Sequence, residues 1–392
     1  MSTLAAIGET PRACRDCLRR SWLIGRLTAG LDYKCTDVPR LLDLLALDDH
    51  QLLHALAGTR GTTLKVEYAG FDPRQVPRRG GVESICCHDR CYPLASEDPG
   101  APRMLNVSGG LDKLGELAER PAVAIVGTRK ASDYGVEMAR SLARGLAASG
   151  VTVASGLTDG VAVASHSGAL EAGAPSLAVL GAGLDAACPP RRRSLFDRLR
   201  GNGCLLSELP CGCEGRRWGA LAGERIVARL CEVMVVVEAD ESPRELAGAS
   251  IARSLGRTVA ALPGRVTSPG SRGTNALLMG GARLVRGAQD VLELLSAGSR
   301  SASISEHEVL GRLDPRLAEI LESVGAGSDT PGKLIGSADD AGEVLLALSE
   351  LELLGLLTRG DGGRYLPRGS LSWPVRSAED PAAHGGPPAA KL

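Results

Sequence analysis

The passage that most constrains this chain is Ala122–Gly135, AVAIVGTRKASDYG. Its first five residues are all apolar. They lack the alternation of a strand with one wet face, so they read as a strand buried on both faces. Such a strand needs a sheet covered by helices on either side, which is an α/β architecture. Gly127 ends the run, and an amphipathic segment, Asp133–Leu146, follows with Val136, Ala139, Leu142, Ala143 and Leu146 at helical spacing. Between strand and helix stand Arg129, Lys130 and Ser132, a candidate N-cap followed by Asp133. Free N–H groups at a positive helix end, beside two cations, make a place to hold an anion.

The same rhythm repeats downstream. Val151–Ala154, Ser176–Leu180, Cys204–Ser207, Glu232–Glu238, Thr258–Leu262 and Arg283–Val285 are short apolar runs, separated by helical segments such as Val161–Ala172. With Ala122–Val126 they predict a doubly wound parallel sheet, with ligands at the carboxyl ends of its strands. The glycine-bearing loops fall there: Gly127, Gly156 and Gly160, Gly181 and Gly183, and Gly264.

Around this sheet the chain divides. Residues 1–95 read as a small helical domain, from Leu18–Leu31, Leu41–Leu47 and Gln51–Leu56. Residues 96–298 carry the sheet, entered through a linker at Ser96–Pro102, and 299–312 form a Ser/Ala/Gly linker. Residues 313–369 follow the order of a winged helix: helices Pro315–Val324, Pro331–Ile335 and Ala341–Leu354, then strands Leu356–Arg359 and Arg364–Leu366. The tail 370–392 has the composition of a disordered segment.

Composition narrows the function. A formal net charge of -1 gives no global field to draw in duplex DNA or a membrane, so any nucleic-acid site is a local patch. Aromatic residues at 3% leave few rings for base stacking, which favours contacts to phosphates. The absence of a long apolar run or a signal core points to the cytoplasm and to no membrane contact. There, eleven cysteines suggest free thiols or metal before disulfides.

Several motifs are weighed on their chemistry. Gly181-Ala-Gly183-Leu-Asp-Ala186 imitates a dinucleotide fingerprint, but Pro190 and Arg191–Arg193 interrupt the helix that it would need. Arg191, Arg192 and Arg193, with Arg216, Arg217, Arg225 and Arg229, offer a basic path, Arg225 foremost because it leads into the strongest strand. Pro263–Asn275, with Gly264, Ser268, Ser271, Gly273, Thr274 and Asn275, has the short hydroxyls and turns of an anion nest. His166 has no triad or metal companion and reads as a satisfied buried histidine. Cys14-x-x-Cys17 with Cys86, Cys87, His88 and Cys91 could compose a zinc site, but the irregular second group argues against one, and no metal is expected. In the third winged-helix segment the charges are Glu343, Glu350 and Glu352, which suits a protein contact better than DNA.

Residues 83–298 resemble the DNA-processing protein A (DprA/Smf) family. The resemblance rests on Gly127-Thr-Arg129-Lys-Ala-Ser132-Asp-Tyr134-Gly135, Ser155-Gly156-Leu157 with Gly160 and His166, and Val179-Leu180-Gly181-Ala-Gly183-Leu184-Asp185. It continues through Leu206-Ser207-Glu208, Arg225-Ile226-Val227-Ala228, Val236-Val237-Glu238-Ala239 and Ser268-Pro269-Gly270-Ser271-Arg272-Gly273-Thr274-Asn275. The resemblance implies an extended Rossmann-like sheet with helical and winged-helix flanks. It implies a non-enzymatic protein without cofactors that binds single-stranded DNA, forms homodimers and loads the RecA recombinase during natural transformation. The expected phosphate-binding residues are Gly127, Thr128, Arg129, Lys130, Ser132, Gly135, Gly156, Gly160, Arg225, Gly264, Ser271, Gly273, Thr274 and Asn275. Asp159 and Gly223-Glu224 depart from the family pattern, and their carboxylates would repel a phosphate path. The competing reading is a phosphoribohydrolase-like enzyme on a similar sheet, but Ser271–Leu278 lacks the glutamate of that family's loop.

Overall fold

A computed structural model of the chain describes residues 12–35, 37–76, 81–95, 98, 100–186, 188, 190–303, 314–325, 327–335, 340–353, 356–360 and 363–367. They fall into two units, divided at Gly298. The segment 370–392, expected to be disordered, lies outside the described residues.

The first unit is built on a nine-stranded sheet: β1 (Val82–Cys86), β2 (Met104–Ser108), β3 (Ala122–Val126), β4 (Thr152–Gly156), β5 (Ser176–Val179), β6 (Cys204–Ser207), β7 (Val233–Val236), β8 (Thr258–Ala261) and β9 (Arg283–Leu284). Its spatial order is β1-β2-β6-β5-β4-β3-β7-β8-β9, parallel from β6 through β9. All seven expected runs are strands in this sheet. β1 and β2, which the apolar pattern did not announce, extend it by antiparallel pairing, with Asn106 opposite Ser207. Their residues are mixed (VESIC and MLNVS), so their strand character comes from the partner edge rather than from local hydrophobicity.

Helices cover both faces, as a continuously apolar strand requires. One face takes Val123, Ile125, Val153, Val233 and Val235 against α6 (Asp133–Ala148), α7 (Val161–Glu171) and α12 (Ala288–Ser303). The other takes Ala124, Val126, Leu177, Met234 and Val236 against α9 (Arg217–Leu230) and α10 (Ala247–Ser254). The expected linker at 299–312 begins inside α12, which runs on to Ser303.

The N-terminal helices α1 (Arg15–Lys34), α2 (Val38–Ala46), α3 (Asp49–Leu56) and α4 (Gly61–Ala69) do not stand apart at residue 95. Leu23, Leu27 and Leu52 share a core with Trp218 and Leu221 of α9, and all belong to one compact unit with the sheet. The remaining helices of this unit are α5 (Leu111–Ala118), α8 (Arg193–Asn202) and α11 (Arg272–Met279).

The second unit holds α13 (Pro315–Gly325), α14 (Pro331–Leu334), α15 (Ala341–Leu353) and an antiparallel pair, β10 (Leu357–Arg359) and β11 (Tyr365–Pro367). Leu321, Val324, Leu348, Leu351, Leu357 and Tyr365 form its core. No helix among the described residues is long and apolar enough to cross a membrane.

Candidate nucleic-acid interface

The connections define where a ligand can sit. From β3 the chain steps outward through β4, β5 and β6, then returns to the other side of β3 with β7, β8 and β9. The loops leaving β3 and β7 therefore diverge, which opens a crevice at the carboxyl ends of these neighbours.

On the β3 side, Gly127–Ser132 is fastened from both flanks. The Thr128 N–H donates to the Glu238 carbonyl at 2.7 Å, and the Thr128 hydroxyl to Glu245 Oε1 at 3.0 Å. Gly160 follows β4 with φ +78°, and a Cβ there would come within 2.3 Å of the Thr128 carbonyl and 2.8 Å of the Arg129 carbonyl oxygen. Only glycine permits both that backbone angle and that approach. The two loops are thereby packed backbone to backbone, with Arg129 and Lys130 exposed beside them.

The anion site expected at the start of α6 is already filled by the chain itself. Ser132 caps α6, its hydroxyl accepting from the Gly135 N–H. The same hydroxyl donates to Glu238 Oε1 at 2.5 Å, and the Ser132 N–H donates to Glu238 Oε2 at 2.8 Å. A Cβ at Gly135 would lie 2.3 Å from that carboxylate. Ser132 thus holds Glu238, and Gly135 leaves room for its carboxylate, so the donors at this helix start are engaged within the chain. The signal in the sequence was a carboxylate directly after the strongest apolar run.

Arg225 is likewise withdrawn from the surface. At 1% exposure it donates to both oxygens of Glu208 at 2.6 Å, and Arg229 one turn later pairs with Asp98 at 2.6 Å. The Arg229 guanidinium holds the Asp98 carboxyl below its usual range. Arg229 pins the segment between β1 and β2, and Arg225 pins the end of β6 to α9. Its apolar setting could not be read from a matched motif, because motif position does not report burial.

The second expected nest, Pro263–Asn275, spends its donors internally. The Gly264 N–H donates to Asn275 Oδ1, Asn275 Nδ2 to the Gly264 carbonyl, and the Gly273 N–H to the Ala239 carbonyl. Ser271 and Thr274 are buried. This loop is a structural clamp on the segment after β7, where Asp240 and Glu241 are exposed.

The two departures also change meaning. Asp159 accepts from Arg191 Nη2 at 2.6 Å and lies 3.5 Å from Arg192 Nε, so its charge is answered within the rim. Arg192 also ties down the Leu157 carbonyl. Glu224 is off the rim altogether: half-buried between α9 and α10, it faces Gly248, and burial pushes its carboxyl up to about 7. Gly156 directs its carbonyl to His166 Nε2 at 2.9 Å, while Nδ1 of that histidine meets Ser176 at 2.8 Å. Burial lowers His166 to about 4, so it is neutral at pH 7.

On the loops after β3, β4 and β5, Arg129, Lys130, Arg191 and Arg193 face solvent, with Arg192 half-buried; the carboxylates beside them are Asp133, which is exposed, and Asp159 and Asp185, which are half-buried. Among the described residues, one group has the geometry to hold a metal, Cys14, Cys17, Cys86 and His88, and it lies at the β1 edge of the sheet.

Comparison with known proteins fits this architecture. The family model for DNA recombination-mediator protein A matches residues 83–296, more than half of the chain and the whole sheet except the start of β1. The chain belongs to that family. It is 35% identical over 330 residues to the DNA processing protein DprA of Mycobacterium tuberculosis, covering 80% of this chain and 84% of the relative. The X-ray structure of DNA processing protein A from Streptococcus pneumoniae superposes with a TM-score of 0.55 at 28% identity, over 70% of this chain and 97% of that one. A structure of DNA processing protein A from Helicobacter pylori, which gives insight into that protein's single-stranded DNA binding mode, aligns at 26% identity and a TM-score of 0.48 over 55% of this chain and 96% of that one. Members of this family process DNA as recombination mediators.

Proposed function

We propose that this protein binds single-stranded DNA without catalysing a reaction on it, by gripping phosphates along the rim formed by the loops after β3, β4 and β5. The observation that carries this reading is the set of exposed cations Arg129, Lys130, Arg191 and Arg193, whose segments are tied together by Gly160 packed on the Arg129 backbone and by Asp159 paired to Arg191. The strand's path ends at β7, where Asp240 and Glu241 turn the surface acidic. Near these cations in the chain, Phe196 is buried and Tyr134, at the start of α6, is half-exposed, so backbone contacts dominate and sequence preference is slight.

Cytoplasmic loading of a RecA-type recombinase onto the captured strand during transformation, by a homodimer, is the corresponding biological role. The second unit is the accessory in this scheme, a winged helix used for protein contact. Its α15 presents Glu343, Glu350 and Glu352 beside exposed Leu345, Leu346 and Leu353, a surface that repels phosphate and suits a protein.

The test is a titration of labelled oligo-dT across a salt series. Arg129→Ala weakens binding about 5-fold and reduces the slope of log affinity against log salt by about 0.7, the share of one phosphate contact on a single strand. Arg265→Ala, on the exposed loop beyond β8, changes neither. Equal affinity and slope for wild type and Arg129→Ala would overturn the rim as the binding surface.

A further inference from the structure

The start of α1 and the end of β1 meet at a set of thiols that the nucleic-acid rim leaves unused. Cys14 is the N-cap of α1 and Cys17 lies one turn on, so both sulfurs project from the same side of the helix end. Cys86 closes β1, and the Asp89 N–H turning back to the Cys86 carbonyl at 2.9 Å swings His88 over the helix. The backbone joins these segments as well, through the Cys86 N–H to the Arg12 carbonyl at 3.0 Å.

The four donor atoms form a small, mutually close cluster. His88 Nδ1 is 3.4 Å from the sulfurs of Cys14 and Cys17 and 3.8 Å from that of Cys86, and all four atoms lie within 4.8 Å of one another. Bond lengths of about 2.3 Å to sulfur and about 2.0 Å to nitrogen around a tetrahedral zinc place a sulfur and a nitrogen about 3.5 Å apart. The Cys14 N–H donates to Cys86 Sγ at 3.4 Å, the hydrogen bond expected of a ligating thiolate. Cys17 and Cys86 are buried among Ala13, Leu18, Phe71 and Met104, which keeps water from the sulfurs, and none of these cysteines is in a disulfide.

We propose that Cys14, Cys17, Cys86 and His88 bind one zinc ion in a closed structural site that clamps the N-terminal helices to the edge strand of the sheet. Four protein ligands leave no open position for catalysis. Thiolate and imidazole donors in a tetrahedron select zinc over oxygen-preferring cations, and the donors are too close together to be shared between two irons of a cluster. Irregular spacing in sequence argued against this site. The strand-to-turn geometry after Cys86 is what supplies the regular one. Cys87, whose sulfur is also 3.8 Å from Nδ1, falls outside the mutually close group, and Cys91 is exposed.

The full chain, purified without chelator, is analysed by elemental mass spectrometry and then by cobalt substitution. It carries about one zinc per chain. Cobalt exchanged into it gives the intense visible bands of a tetrahedral thiolate complex. Cys87→Ser and Cys91→Ser retain the metal, Cys86→Ser and Cys14→Ser lose it, and a chelator lowers Tm and opens residues 12–76 to protease. If the cysteine variants fail to fold, the cobalt spectrum of the native chain still decides. A metal-free chain with the three site thiols reduced, a Cys14–Cys17 disulfide, iron with acid-labile sulfide, or zinc surviving in folded Cys86→Ser would each overturn the assignment. None of these readouts depends on DNA binding.

Discussion

Asp159→Asn is the perturbation that most directly probes the rim. The wild-type carboxylate is one-third exposed and bonds Arg191, whose side chain is 71% exposed, so the pair is a surface pair worth at most about 1 kcal/mol to folding. The substitution therefore leaves Tm nearly unchanged. Its effect on DNA has two parts. A phosphate about 6 Å from the carboxylate is repelled by about 0.7 kcal/mol in water, and removing that repulsion tightens binding about 3-fold. Arg191, no longer shared with Asp159, gives a phosphate its full charge, which brings the gain to about 10-fold and steepens the salt slope by about 0.7. Fluorescence anisotropy with labelled oligo-dT at several salt concentrations measures both, starting well below 0.1 M, where the screening length exceeds about 10 Å. Arg191→Ala supplies the control, costing more affinity in the Asp159→Asn background than in wild type. Unchanged or weaker binding by Asp159→Asn, with Arg129→Ala still damaging, would show that the strand does not pass over the β4 loop.

Two further predictions concern the scaffold. Arg225→Ala leaves Glu208 buried without its partner and destabilises the protein by about 3–5 kcal/mol, while DNA affinity of the folded fraction is retained; urea unfolding and anisotropy report the two. His166 has its proton affinity lowered in the fold, to about 4 against an unfolded value near 6.5, so the unfolded state binds more protons between these values. Its contribution is complete above pH 6.5 and is lost as pH falls toward 4, on the order of 3 kcal/mol across that window. Urea midpoints at pH 5 and pH 7 show this slope in wild type and a shallower one in His166→Gln.

The parallel sheet was legible because burial on two faces leaves a signature that needs no partner to interpret. Ala122–Val126 is apolar at every position, and the Ser132 cap and the stripe of α6 follow from local chemistry. The pattern was silent on β1 and β2, since VESIC and MLNVS become strands only against the edge of β6. Val136 illustrates the limit within a correct helix: it has the right spacing, yet is 37% exposed while Gly135 is buried against Glu238.

Charges were the least legible, because a side chain's charge is written in the sequence and its partner is not. Arg129 and Arg225 look alike as letters, each in a matched motif. The fold leaves one in solvent after β3 and seals the other against Glu208, brought from 17 residues away. Asp159 repels a phosphate on paper, but Arg191, 32 residues on, answers it. The thiols at positions 14, 17 and 86 gather with His88 only because β1 pairs at the sheet's edge beside the start of α1. Local sequence determined which segments were strands and helices, through burial periodicity. Which cations face water, and which donors converge, was decided by long-range packing, because electrostatic and coordinate contacts act between atoms that only the tertiary structure brings within a few ångströms.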